Sequence, residues 1–70
     1  MFRIGIIGAG WIADKMAQAI APFKDMQVYA ISSRSIEKAE AFAKEHDIPK
    51  AYGSYEDMVA DPAVDLVYIA

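Results

Sequence analysis

Gly8-Ala-Gly10-Trp-Ile-Ala13 follows directly on the apolar run Arg3-Ile-Gly-Ile-Ile7. A strand that turns into a helix on a Gly-x-Gly-x-x-small pattern is built to present backbone amides to an anion. The first glycine permits the tight turn, the second lets the backbone approach a pyrophosphate, and the small third residue lets the helix pack closely on the strand. Ala13 fills the third place with a methyl group. The amides of Trp11, Ile12 and Ala13 fall in the first helical turn, where they lack intrahelical partners and the macrodipole adds partial positive charge. Gly8, Gly10, Trp11, Ile12 and Ala13 are therefore candidate contacts for a diphosphate. Glycine pairs also serve ordinary strand-to-helix turns, and context separates the two readings. Here a second strand ends about 20 residues beyond the motif, which is where a ribose contact is expected.

At that position an NAD site places Asp or Glu, which accepts from the ribose 2′-hydroxyl and repels a 2′-phosphate. This chain has Ser33 followed by Arg34. A neutral hydroxyl beside a guanidinium fork suits a phosphate dianion, so NADP is favoured, with NAD as the alternative. The bland reading of Arg34 is a surface arginine facing Glu37. Lys38, one turn into the following helix, is a further candidate for the same phosphate. Trp11 reads as a residue at the rim of the cofactor or as packing against the neighbouring loop.

Other residues carry less chemistry. His46, the sole histidine, falls near a helix C-terminus, where a cation is favourable, and is assigned a structural role. Glu56 and Asp57 diverge as adjacent helix positions, and capping accounts for Asp57. Tyr52, Tyr55 and Tyr68 read as packing aromatics. No catalytic residue and no metal site is assigned.

The elements that must position these groups follow from periodicity and turn chemistry. Arg3 to Ile7 reads as a central parallel strand. Trp11 to about Ala21 reads as a helix with Ile12, Met16, Ala17, Ala19 and Ile20 at helical spacing, ending before Pro22. Met26 to Ile31 is a second strand, and Ser32 to Ser35 a polar loop in which Ser35 is the N-cap of the next helix. That helix runs to about His46, with Ile36, Ala39, Phe42 and Ala43 inward and a Glu40 to Lys44 pairing outward. Ile48 to Tyr52 is a weak edge strand interrupted by Pro49. Ser54-Tyr-Glu-Asp57 resembles a capping box that opens a short helix to about Ala60, and Leu66 to Ala70 is a fourth, buried strand. Alternating strands and helices with right-handed crossovers predict an α/β, doubly wound parallel sheet of order 3-2-1-4. The ligand crevice then lies at the switch point between strands 1 and 4.

Seventy residues make one domain at most and read as the first part of a larger one. The hydrophobic share of 56% exceeds the usual range of about 45 to 50%, as buried parallel strands require. No apolar run is long enough for a bilayer, and the chain enters a strand with no signal-peptide pattern, so a cytoplasmic location is expected. Without cysteine there is no disulfide framework and no thiolate nucleophile or metal ligand. A net charge of -3 with mixed signs disfavours nucleic acid as a partner.

Taken together, Gly8 to Ala13, the Ile31-Ser-Ser-Arg-Ser35 loop, Ala39 to Ala43 with His46-Asp-Ile-Pro49, Tyr52-Gly-Ser-Tyr55 and Asp61-Pro-Ala-Val-Asp-Leu-Val-Tyr-Ile-Ala70 resemble the N-terminal domain of the Gfo/Idh/MocA oxidoreductases. The resemblance covers the whole chain in order. It implies a Rossmann domain of an NAD(P)-dependent enzyme that moves hydride to or from a sugar, inositol or related polyol, in a homo-oligomer whose substrate is carried by a C-terminal domain. It maps cofactor contacts onto the Gly8 to Ala13 turn, Ser33, Arg34, Ile69 and Ala70. In the family, Thr-Pro follows this ending, and a later Glu-Lys-Pro segment supplies the catalytic lysine; neither is in this sequence, so the chain alone is expected to be inactive. A methyltransferase is disfavoured, since it would want an acid where Ser33 stands. A non-catalytic dinucleotide-binding or sensor module would need the same turn and stays open.

Overall fold

The apolar runs and helical periodicities become seven elements in a computed structural model that describes residues 2–70. They are β1 (Phe2–Ile7), α1 (Trp11–Ile20), β2 (Met26–Ser32), α2 (Ile36–His46), β3 (Lys50–Tyr52), α3 (Tyr55–Val59) and β4 (Leu66–Ile69). The four strands form one sheet of order β3-β2-β1-β4 with every pair parallel, as the alternation of elements predicts. All four carboxyl ends therefore share one edge. None of the helices in the described residues is long and apolar enough to cross a membrane.

Helices cover both faces. Ala13, Ala17 and Ile20 of α1 and Ala39, Phe42 and Ala43 of α2 pack with Ile4, Ile6, Val28 and Ile31 in one cluster. On the other face the fully buried Met58 of α3 fills the space left by the missing side chain of Gly5. Val28 and Ile31 are three apart, so strict alternation would put them on opposite faces. The register explains why they share one: Ile4 pairs with Val28 but Gly5 with Ala30, so Tyr29 is an extra residue in β2. Such a bulge reverses which side chains face inward beyond it. Ser32 thereby falls on the α3 face beside Ile7 and Tyr52.

Several boundaries and burials differ from the sequence reading. β2 runs one residue further, because the Ser32 carbonyl still accepts from Gly8 N at 2.8 Å. β3 begins only at Lys50, after Pro49, which has no amide to donate; Ile48 is buried without being in the strand. β4 is not buried: Leu66 is 47% and Ile69 76% exposed, since β4 lies at the sheet edge beyond the reach of the three helices. Ile12 and Ile36 are exposed as well, each in the first turn of its helix where it overhangs the core. Glu40 and Lys44 form no ion pair among the described residues; both are exposed and solvated. The caps at Ser35 and Ser54 form as expected, their hydroxyls accepting from Lys38 N at 3.4 Å and Asp57 N at 3.3 Å.

A polar tie holds the turn after α3 to the sheet. The Tyr52 hydroxyl donates to Asp61, whose other carboxylate oxygen accepts from Ala63 N at 2.9 Å. Tyr52 is thus more than a packing aromatic. The bond to Asp61, with partial burial, pushes the phenol from its ordinary 10.0 up to about 12. The same bond and the Ala63 amide hold the Asp61 carboxyl below its usual 3.8. A phenol whose pKa rises on folding contributes stability that is complete below pH 10 and is lost as the pH climbs through about 12. For Asp61 the contribution is complete above about pH 4 and fades as the pH falls below it. Urea denaturation across pH 8 to 12 is therefore expected to show a decline beginning near pH 10, shallower in Tyr52→Phe. At pH 7 that variant should lose about 1 kcal/mol, the value of a charge-assisted hydrogen bond discounted for solvent.

Candidate functional site

The carboxyl edge is closed by three backbone bonds past the strand ends. Gly8 N donates to Ser32 O, Ser33 N to Tyr52 O at 3.1 Å, and Ala70 N to Ile7 O at 2.9 Å. They fix the four strand exits relative to one another. Gly8 has φ 106, and a Cβ there would stand 3.1 Å from the Ala70 carbonyl oxygen. Only glycine takes that conformation without strain. The first position of the motif is therefore glycine for reasons inside the fold.

Gly10 is glycine for a different reason. It is the N-cap of α1 with φ -88, open to any residue, and a Cβ built on it meets nothing within 4 Å. Gly10 itself borders the hollow of about 240 Å³ lined by Gly10, Trp11, Ile12, Ala13 and Ala70. No side chain caps α1. The amides of its first turn therefore face an open space with the positive end of the helix dipole behind them. Trp11 is 70% exposed at the border of this hollow, so it lies at the rim and is not packed on a neighbouring loop.

The larger cleft, about 720 Å³, shares Ala70 with it, has Gly8 in its own lining, and is bounded by Ser32, Ser33 and Arg34 after β2. The Ser33 hydroxyl accepts from Ser35 N at 3.3 Å, which leaves its own proton free to donate. Arg34 is exposed and makes no ion pair among the described residues, with Glu37 or any other carboxylate. A free guanidinium and a free hydroxyl proton at one edge are donors of the kind an anion takes. Lys38 and Ile69 line neither hollow; Lys38 enters the geometry through its backbone amide at the α2 cap.

The cleft also contains residues that the sequence reading set aside. Gly53, Ser54, Tyr55 and Glu56, from the β3–α3 junction, form part of its lining. Tyr55 is 55% exposed and is a cleft residue, not a packing aromatic; Tyr68 is also exposed, on β4. Ser32 is buried, and its hydroxyl has no hydrogen-bond partner among the described residues. The signal for these residues is topological: in a parallel sheet every loop after a strand opens on the same edge.

His46 lies elsewhere. It ends α2, packs at a 38° tilt against Phe42 with 4.4 Å between ring centres, and places Nε2 2.8 Å from Asp14 Oδ1 on α1, in contact but outside hydrogen-bond geometry. Gln18 donates to the second Asp14 oxygen at 2.8 Å. Asp14, Glu45 and His46 bring one ligand atom each within 4.8 Å of one another. The pairing ties α1 to α2 over the core, a structural role.

Comparison with known proteins places this edge in context. Residues 2–70 match a family described as an oxidoreductase family with an NAD-binding Rossmann fold. A trans-1,2-dihydrobenzene-1,2-diol dehydrogenase of Xenopus tropicalis is 48% identical over 67 residues, covering 93% of this chain and 20% of that protein. A probable dehydrogenase from Thermotoga maritima superposes with a TM-score of 0.90 at 30% identity, covering 99% of this chain and 21% of the other. A 3-ketoreductase from Actinomadura kijaniata, crystallised with TDP-benzene and NADP, gives 0.88 at 28% identity over 96% of this chain and 21% of its own. The chain spans about a fifth of the length of the relatives it matches.

The two motif glycines are expected to separate in mutagenesis. Gly8→Ala should lose about 1 to 3 kcal/mol of stability from backbone strain, whereas Gly10→Ala should change it by about 1 kcal/mol or less, the difference between glycine and alanine at an N-cap. Binding of a dinucleotide should fall more than about tenfold in Gly10→Ala, as a methyl group enters the anion hollow. Urea denaturation and titration calorimetry on the same preparations read both.

Proposed function

The chain belongs to the Gfo/Idh/MocA oxidoreductase family, and on that premise we propose that it is the cofactor-holding part of a dehydrogenase that prefers NADP. The observation that carries the reading is the pairing of an open, uncapped α1 N-terminus at Gly10 with an unpaired Arg34 on the same sheet edge. The first fits a pyrophosphate and the second a 2′-phosphate. The nicotinamide ring, when bound, supplies the hydride acceptor or donor. Everything the chain itself contributes is binding and orientation.

The Gly8 to Ala13 turn holds the diphosphate through the amides of Trp11, Ile12 and Ala13. Ser33 would donate a hydrogen bond to a 2′-phosphate through its free hydroxyl, and Arg34 would offset part of the dianion's charge with its planar fork. Ala70 lines both hollows and would stand beside a dinucleotide that occupied them. Trp11 covers the rim of the smaller one. The 70 residues form the first part of a dinucleotide-binding domain, and the proton-transferring group and substrate domain belong to the rest of the parent protein. The substrate is a sugar, inositol or related polyol. Likeness to a protein named as a cyclic trans-diol dehydrogenase supports a secondary alcohol on a ring with a hydroxyl beside it.

Ser33→Asp combined with Arg34→Ala removes a phosphate partner and adds a charge that repels the dianion. In the intact protein NADP is expected to bind about 10- to 100-fold more weakly, matching the loss of a charge-assisted bond, while NAD binding holds or improves. Titration calorimetry with both cofactors at one salt concentration, beside hydride transfer across a panel of polyols, is the measurement. Tighter binding of NAD than NADP by the unmodified protein would overturn the role given to Arg34.

A further inference from the structure

Among the described residues, the large cleft is lined by one free cation and one free anion. Arg34 enters it from the loop after β2 and Glu56 from the start of α3, and both side chains are exposed. No ion pair within 4 Å involves either of them among the described residues, and the Glu56 carboxylate takes part in no hydrogen bond there. Glu56 is not needed to cap its own helix, because the Ser54 hydroxyl already satisfies Asp57 N. A cleft shaped only to bind a dianion gains nothing from an unpaired carboxylate in its wall.

From these positions we infer that Glu56 sets how sharply the cleft distinguishes dinucleotides with a 2′-phosphate from those with a free 2′-hydroxyl. A carboxylate only accepts hydrogen bonds, so it suits a ribose hydroxyl that donates and opposes a phosphate that cannot. Asp or Glu after β2 does this work in an NAD site, and that place is taken here by Ser33. Glu56 brings the same chemistry to the same cleft from a different strand exit. Arg34 and Glu56 then act in opposition, the first favouring NADP and the second retaining NAD. The inference rests on the dinucleotide reading of the cleft.

The test is a charge series at position 56 in the intact protein, Glu56→Gln and Glu56→Lys, with NAD and NADP titrated calorimetrically at 0.05 M and about 1 M salt. Two like charges several ångströms apart in water repel enough to change binding about threefold to tenfold. Glu56→Gln is therefore expected to bind NADP tighter by about that factor and NAD more weakly, and Glu56→Lys to extend both trends. The gain for NADP should vanish at high salt, where the Debye length shrinks to about 3 Å. Both variants alter an exposed side chain, and an unchanged urea midpoint checks that the fold survives. Equal changes for the two cofactors, or a salt-independent gain, would overturn the inference while leaving the dinucleotide site standing. An unmodified protein that binds neither dinucleotide would overturn both.

Discussion

At Gly8 the chain leaves β1 with φ 106, the Ala70 carbonyl oxygen 3.1 Å from the place of a Cβ and the Ser32 carbonyl accepting from its amide. That one residue is clamped between the exits of β2 and β4. Because it is clamped, α1 starts at a fixed point above the edge, and its first turn opens over the crevice where the strand order reverses. Any side chain at Gly8 would force β1 and β4 apart or bend the turn, and its neighbour Ala70 lines both hollows. The site is thus a consequence of how the central strand is allowed to end.

Charge at this edge is sparse and finely set. The chain is net negative at -3, and the larger cleft has a single basic side chain among its lining. In the proposed site, attraction for a dinucleotide would rest on backbone amides, one helix dipole and one guanidinium, with a carboxylate in the same cleft wall. Fixed dipoles cost no reorganisation when the ligand arrives, so a small number of them suffices. On that proposal, discrimination between cofactors would fall to the few side chains that carry full charge.

Two polar ties compensate for a thin core. A chain of this length buries only about 60% of the surface it exposes when unfolded, and Leu66, Tyr68 and Ile69 of the edge strand β4 are exposed. Tyr52 to Asp61 secures the segment after α3, and His46 to Asp14 joins the two helices on the opposite face. Each links elements that no backbone ladder connects. Met58 adds the one deeply buried side chain by which α3 grips the sheet.

The sequence by itself determined the order and kind of all seven elements, the parallel sheet, and the turn from Gly8 to Ala13. Those depend on local quantities: β-branched runs, 3.6-residue spacing, serine caps and glycine at a forced turn. Ser33 and Arg34 were legible for the same reason, since they follow the strand end at a fixed distance. Tertiary structure alone decided that Tyr29 is a bulge, that Ser32 therefore joins the cleft face, and that Tyr55 and Glu56 open onto the same cleft as Arg34. It also decided that Ile12, Ile36 and the strand β4 stay exposed, and that Tyr52 finds Asp61. Register and the meeting of strand exits distant along the chain govern these features. A one-residue shift in register reverses every inward face beyond it, and nothing in the local pattern of residues 26–32 marks where that shift occurs.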